Sequence, residues 1–265
     1  RSCSVFLREP GTGLKGSKAA PSTGSDGSGY DLAKRLGHRI IRPLPALVQL
    51  RCREKVFFKQ ISGVRADACV SIWADGERLA YDQGELQLTD YGISGIPVFQ
   101  VSRFASVALS RGAQVKAEID FYPELDRKEL GRFLRERRQL LEIGTQQHFL
   151  TGWFNKKLAL LFLRLAGISP DRNVSSLTET QLSELGRRIK QFETEIAETN
   201  PFANAQICCR RRGCERGEIL TQWNPKKRKG LYLAGELLDV DGICGGYNLQ
   251  WAWSTGALAG IHGGR

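Results

Sequence analysis

Leu231-Tyr232-Leu233-Ala234-Gly235-Glu236 is an apolar run ending in a small residue, a flexible residue and a carboxylate. Read as a buried strand, it delivers Glu236 to a sheet edge, and ligands of open α/β sheets sit beyond the carboxyl ends of their strands. A carboxylate at that place accepts hydrogen bonds from sugar or polyol hydroxyls. Asp239, Asp241 and Gly242 follow, then Cys244, Gly245, Gly246, Tyr247 and Asn248, and then a predicted helix over 247–261. Glycines let backbone approach a planar ligand closely. A helix amino terminus carries unpaired N–H groups and roughly half a positive charge, so it favours an anion. These residue types at these spacings suit a redox-capable ligand cradle. They also suit an acidic calcium-type loop or a plain strand-to-helix turn, and spacing alone leaves those alternatives open.

Other candidates for chemistry fall away on context. Gly11-Thr12-Gly13-Leu14-Lys15-Gly16 satisfies G-x-G-x-x-G in form. Yet Arg8, Glu9 and Pro10 stand where a buried strand should end, and turn residues over 17–29 stand where the helix should run. It reads as a chance glycine cluster. Gly92-Ile93-Ser94-Gly95 falls short of the G-x-S-x-G nucleophile elbow. The cysteines, Cys3, Cys52, Cys69, Cys208, Cys209, Cys214 and Cys244, contain no C-x-x-C pair, and His38, His148 and His262 are scattered. Neither a disulfide framework nor a metal centre is expected, and Cys244 reads as a packing residue.

The cradle needs a scaffold. A chain of 265 residues with 41% apolar content can bury a core as one large domain or two ordinary ones. Ser22–Tyr30 is a turn-rich loop feeding a short predicted helix over 31–37. Over 44–121, β-branched and aromatic residues alternate with polar ones between Gly and Asp turns, which predicts an antiparallel sheet or small barrel. Helical periodicity follows over 127–143, 156–166 and 178–196. Residues 204–208 and 230–234 are predicted short buried strands. No apolar stretch approaches the ~20 residues needed to cross a bilayer, and residues 1–10 carry no secretory pattern, so a cytoplasmic location is expected.

The net charge of +11 is concentrated. Residues 208–229 hold eight basic residues against Glu215 and Glu218, and residues 1–18 hold four against Glu9. One alternative function is therefore nucleic-acid binding through Arg210, Arg211, Arg212, Arg216 and Lys226–Lys229, with Trp223 as a stacking residue. A charge run is more often a solvated face, so a small-molecule substrate is expected in preference to a nucleic acid.

The run GLYLAGELLDVDGICGGYNLQWAWSTGALAG over 230–260 resembles the closing signature of bacterial NAD(P)/FAD-dependent, aminoacetone-oxidase-like flavoproteins. Residues 18–30 are similar to that family's segment after the strand that reaches FAD, and residues 88–97 resemble its G-x-S-G-x-P turn. The resemblance implies an α/β (α+β) chain: a partial glutathione-reductase-type FAD-binding domain, interrupted by an inserted β-barrel and helical module. The implied boundaries are 1–43, 44–198 and 199–265.

It further implies FAD as cofactor, with NAD(P)H as co-substrate, at Thr23, Gly24, Ser25, Asp26, Gly235, Glu236, Asp241, Gly242, Gly245, Gly246, Tyr247 and Asn248. On this resemblance Glu236 lies near the ribityl or pyrophosphate group, and Gly245 to Asn248 lie beside the isoalloxazine ring. Names in the family include ene reductases of bile-acid rings, which implies hydride transfer through FAD to an activated C=C such as an enone.

The chain departs from the family pattern in three ways. It has no opening strand with a true G-x-G-x-x-G, so the amino-terminal βαβ unit is expected to be lacking. Residues 210–227 replace a Gly-Gly-Val and Met-Glu-Ser-Lys stretch, and methionine is absent. CAA TGG AAT CCA AAA encodes Gln222–Lys226 and, read from its third base, gives ATG GAA TCC AAA, or Met-Glu-Ser-Lys. Residues 210–227, with 1–16, are on this reading out of register.

Overall fold

In the computed structural model of the chain, residues 16–35, 37–210 and 233–263 are described. In order these form α1 (Ser28–Arg35), β1 (Pro43–Ala46), β2 (Leu50–Cys52), α2 (Lys55–Ile61), β3 (Arg65–Ala74), β4 (Glu77–Leu88) and β5 (Gly92–Gly95). After these come α3 (Ile96–Ser110), β6 (Val115–Asp120), α4 (Arg127–Leu140), α5 (Lys156–Leu165), α6 (Glu179–Lys190), β7 (Phe192–Thr199), β8 (Ile207–Arg210) and α7 (Tyr247–Gly263). The chain divides into two compact units, one of residues 1–49, 102–112 and 199–265, the other of 50–101 and 113–198.

The second unit is a closed barrel of order β2-β5-β4-β3-β6-β7, with helices on its chain. The β3–β4 hairpin turns at Asp75-Gly76, both with positive φ (50° and 88°), the backbone a two-residue hairpin loop of the twisted type requires. Strand β5 runs close to both neighbours. A Cβ on Gly92 would stand 2.2 Å from the Leu50 carbonyl oxygen, and one on Gly95 2.3 Å from that of Glu85. Helix starts are fixed locally: Asp126 and Glu129 form a capping box on α4, Thr178 and Gln181 one on α6, and Asn155 caps α5. Phe121, Phe162 and Phe192 meet edge to face, with centroids 5.2 to 6.4 Å apart, and join barrel strand to helix.

In the first unit, β1 pairs antiparallel with β8, Leu44 opposite Cys209. Ser102 on α3 accepts the Val48 N–H at 3.2 Å, and Ala19, Val48, Ala205 and Cys208 pack together. Tyr30 on α1 packs on Leu237, with Leu32, Ile40 and Leu233 around them.

Three expectations are corrected. The helix predicted over 178–196 ends at Lys190, and β7 begins at Phe192. Phe192, Thr194 and Ile196 are buried while Glu193 and Glu195 are exposed, so the period is 2. Two helices, α2 and α3, interrupt the stretch 44–121 predicted to be all strand; in α3, Val98, Val101, Ala105 and Ala108 are buried at helical spacing despite the β-branched content. Of the strand predicted over 230–234, residues 230–232 lie outside the described residues. Leu233 and Ala234 lead without strand pairing into a 3-10 turn, Gly235–Leu237.

Candidate functional site

The carboxylate singled out in the sequence is held by two donors on one oxygen. Glu236 Oε1 accepts the Ser17 hydroxyl at 2.8 Å and the Cys208 backbone N–H at 2.5 Å. Ser17, fully buried, has one proton and gives it to Glu236. Its oxygen accepts from Tyr30 OH at 2.9 Å and from the Lys18 N–H at 2.6 Å. The carboxylate is thus aimed by residues 17, 30 and 208, distant in sequence but together in this unit.

Its backbone is anchored to α7. The Gly235 N–H donates to Thr255 Oγ1 at 2.8 Å, the Trp251 indole N–H donates to the Gly235 carbonyl at 3.2 Å, and the Thr255 hydroxyl donates to the Trp251 carbonyl at 2.7 Å.

The loop before α7 is clamped by Asn248. Its Oδ1 accepts the Gly242 N–H at 2.7 Å, and its Nδ2 donates to the carbonyls of Gly242 at 3.0 Å and Ile243 at 3.3 Å. Asp241, one residue earlier, pairs with Arg103 of α3 at 2.9 Å. Gly245 and Gly246 then carry positive φ of 120° and 93° at the helix start, the left-handed region where a side chain is strained. A Cβ on Gly246 would meet nothing within 4 Å, so the backbone there opens on free space.

A cavity of about 290 Å³ adjoins these groups, bounded by Glu236, Gly245, Gly246 and Asn248 together with Ala20, Leu47, Gln206, Ile207, Val240, Leu249, Trp251 and Ala252. The structure therefore brings four of the sequence-predicted site residues to one cavity. The others do not bound it. Gly235 is buried against α7, while Asp241 faces Arg103 and Gly242 faces Asn248. Tyr247 is 60% exposed. Thr23 ends a 3-10 turn over Pro21–Thr23, Gly24 follows with φ 93°, Ser25 is buried, and Asp26 accepts the Ser28 N–H at 2.9 Å at the start of α1. Sequence reading missed Ser17, Tyr30 and Arg103. Nothing in their local pattern marks them, since each matters only through a partner more than a dozen positions away. Trp251, four residues after Tyr247 on a helix, was recoverable by spacing.

The neighbouring thiols are inert in character. Burial, then the Glu236 charge, pushes Cys208 up to about 12; burial, then the Asp241 charge, does the same for Cys209. Ser94 is a buried β5 residue opposite Gln87. The basic stretch 211–229 lies outside the described residues, as do Gly11–Lys15 of the glycine cluster. No helix among the described residues is long and apolar enough to cross a membrane.

Barrel, capped helices and cavity-bearing α/β unit define a mixed α/β protein with a six-stranded barrel set within its chain. Residues 44–207 match the model of the HI0933-like protein barrel and H2TH domain, and the chain belongs to that HI0933-like family. It is 46% identical over 246 residues to a 3-dehydro-bile acid delta(4,6)-reductase of Clostridium scindens, covering 92% of this chain and 59% of the relative. It is 29% identical to a ribosomal RNA dihydrouridine synthase of Haemophilus influenzae and 25% to that of Escherichia coli, covering 91% of this chain in each case and 56% and 57% of the relatives. The chain spans somewhat more than half the length of these curated relatives.

Proposed function

We propose that the chain is part of a flavin-dependent oxidoreductase that reduces a C=C bond conjugated to a carbonyl, with hydride drawn from NAD(P)H by way of FAD. The observation that carries this reading is the cavity where an oriented carboxylate, Glu236, meets the Gly245-Gly246 backbone at the start of α7. The donor set fits a flavin: a carboxylate for ribityl hydroxyls, open glycine backbone for a ring face, and helix N–H groups for negative charge. About 290 Å³ is at the low end of small-molecule sites, which run roughly 300–1,000 Å³. It suits one ring system rather than a whole dinucleotide. Glu236, Gly245, Gly246 and Asn248 would hold that ring system and its polyol, and the flavin would supply a two-electron relay between nicotinamide and substrate.

The names of the relatives support the substrate class. A delta(4,6)-reductase of a 3-dehydro bile acid and a dihydrouridine synthase both saturate a C=C bond conjugated with a carbonyl, and 46% identity to the former favours an enone. A partial glutathione-reductase-type domain made of residues 1–43 and 199–265, around the module 44–198, is the architecture we propose for the cofactor side, in a cytoplasmic protein.

The test is an absorbance spectrum of the purified chain between 300 and 550 nm, before and after adding FAD and desalting. Retained flavin bands support the reading, and a Glu236→Gln variant should retain less. A flat spectrum from protein shown to be folded overturns flavin binding by this chain.

A further inference from the structure

Helices α2 and α5 pack together within the barrel-bearing unit. On α5, Leu158, Ala159, Leu161, Phe162 and Leu163 are buried, which leaves Lys156, Lys157, Leu160 and Arg164 outside. Lys156, Leu160 and Arg164 follow at i, i+4 and i+8, one stripe of the helix. On α2, Phe58 and Ile61 are buried while Lys55, Val56 and Lys59 are exposed. The two outer faces adjoin: Lys157 Nζ donates to the Ser62 carbonyl just past α2 at 3.0 Å, and the Arg164 guanidinium carbon stands 5.9 Å from the centre of the Phe57 ring.

This face differs in charge from the rest of its unit. Elsewhere exposed cations are matched: Arg51 with Glu198, Arg53 with Glu195, Arg65 with Glu85, Lys116 with Glu193 and Arg187 with Glu184. Lys55, Lys59, Lys156, Lys157 and Arg164 have no carboxylate partner among the described residues. Residues 55–64 and 143–170, which hold both helices, contain no Asp or Glu. Glu54, next in sequence to α2, is already engaged by the Thr194 hydroxyl at 2.5 Å and the Glu195 N–H at 3.5 Å.

Charge alone is usually a solvated face, and apolar exposure supplies the independent sign. Val56 is 69% exposed and Leu160 38%. Val56 sits between Lys55 and Lys59, and Leu160 lies one turn from both Lys156 and Arg164. Aliphatic side chains set among cations fit a surface that is both anionic and able to take up hydrocarbon. An anionic lipid bilayer is such a surface: its potential draws the basic groups, the aliphatic side chains enter the acyl boundary, and lysine stems reach back to the headgroups. Four of the five cations are lysine, which is depleted at protein–protein interfaces and lacks the guanidinium fork that reads a phosphate bidentately. With seven and ten residues, α2 and α5 are only ~10 and ~15 Å long. No helix among the described residues is long and apolar enough to cross a membrane, so the contact lies along the surface.

We propose that the α2–α5 face docks on an anionic lipid bilayer, its lysines over the headgroups and Val56 and Leu160 in the acyl boundary. The inference is independent of the flavin reading. The experiment is co-sedimentation of the full chain with vesicles of phosphatidylglycerol and phosphatidylcholine, against vesicles of phosphatidylcholine alone, with thermal unfolding as the control for folding. Each cation removed should lower partitioning about fivefold, so Lys55→Gln/Lys59→Gln/Lys156→Gln should lower it about a hundredfold. Val56→Ser/Leu160→Ser changes no charge and should lower it about tenfold or more. If either multiple variant fails to fold, Lys59→Gln and Val56→Ser alone, at exposed positions, should each still lower it severalfold.

Loss in both the lysine and the apolar variants, with phosphatidylcholine vesicles left unbound by the wild type, supports the proposal. Wild-type protein that ignores anionic vesicles, or binds both kinds equally, overturns it. Binding that is unchanged in the variants, as it would be if the basic stretch 211–229 carried it, overturns it, and so does binding weakened by the lysine changes but not by the apolar ones. Binding to a fluorescein-labelled oligouridylate in place of vesicles overturns it too.

Discussion

Arg103 Nη1 stands 2.9 Å from Asp241 Oδ2, and the Asp241 side chain is only 10% exposed. The pair fixes the start of the loop that Asn248 grips one residue later, so α3 sets the position of the Gly245-Gly246 turn. Arg103→Met removes the cation facing a nearly buried carboxylate. Breaking a fully buried pair costs ~3–5 kcal/mol; with Arg103 about one-third exposed, about 1–3 kcal/mol is expected. Thermal unfolding checks this. The double variant Arg103→Met/Asp241→Asn should recover part of the loss, because the stranded charge is gone. A double variant less stable than either single one contradicts this account.

Asn248 uses acceptor and donor together, so its isosteric replacement is informative. Asn248→Asp keeps the acceptor for the Gly242 N–H and turns a donor toward the Gly242 and Ile243 carbonyls into a repelling oxygen. Destabilisation of about 1–3 kcal/mol is expected, from bonds lost and an acceptor facing acceptors. If the loop forms the flavin site, retained FAD should fall with it. Unchanged stability would show that the clamp contributes nothing in solution.

Ser17→Ala separates scaffold from ligand at Glu236. The hydroxyl is the donor to Oε1 and the acceptor for Tyr30 and Lys18, all at a fully buried position. Its removal leaves these groups short of a partner and should cost about 1–3 kcal/mol in denaturant unfolding. Glu236→Gln instead retains shape and the Cys208 N–H acceptor, so it should unfold nearly as wild type while weakening any polyol ligand. Equal stability losses in the two would mean that Glu236 is a structural residue first.

The sequence made local features legible and left long-range ones hidden. The closing helix, the barrel region, α4 and α5 follow from apolar period and from short-range capping and turn chemistry such as Asp126/Glu129 and Asp75-Gly76. The β7 strand was absorbed into the preceding helix because Phe192–Ile196 continues an apolar rhythm that fits either period over a few residues. Glu236, Gly245, Gly246 and Asn248 were found because glycines and a carboxylate cluster in sequence. Ser17, Tyr30 and Arg103 were not, since a serine, a tyrosine and an arginine gain meaning only where chain topology places a partner.

Barrel closure at β5 gives a sharper prediction. Gly92→Ala or Gly95→Ala would place a methyl 2.2 or 2.3 Å from a neighbouring strand's carbonyl oxygen, and backbone cannot yield as a side chain tip can. A loss above ~3 kcal/mol or failure to fold is expected. Gly76→Ala is the control, because nothing lies within 4 Å of its Cβ and only its φ of 88° opposes the change, for about 1 kcal/mol. Urea unfolding of the three variants should rank them in that order.

Glu184 provides a pH-dependent test in the helical part. The Arg187 guanidinium, at 2.6 Å, and then Arg188, at 2.7 Å, hold its carboxyl down from the ordinary 4.5 to about 2. The folded state therefore binds its proton more weakly than the unfolded chain. Its contribution is complete above the unfolded value of 4.5 and is lost as pH falls through about 2. The arginine heads are 31% to 44% exposed, so screening reduces the contribution to about 0.5–1 kcal/mol. Glu184→Gln should lower stability by that amount at pH 7, and the gap to wild type should narrow between pH 4.5 and 2 and close below. Added salt should shrink the gap at neutral pH as well. A difference that stays constant down to pH 2 would locate the cost in packing of α6 rather than in charge.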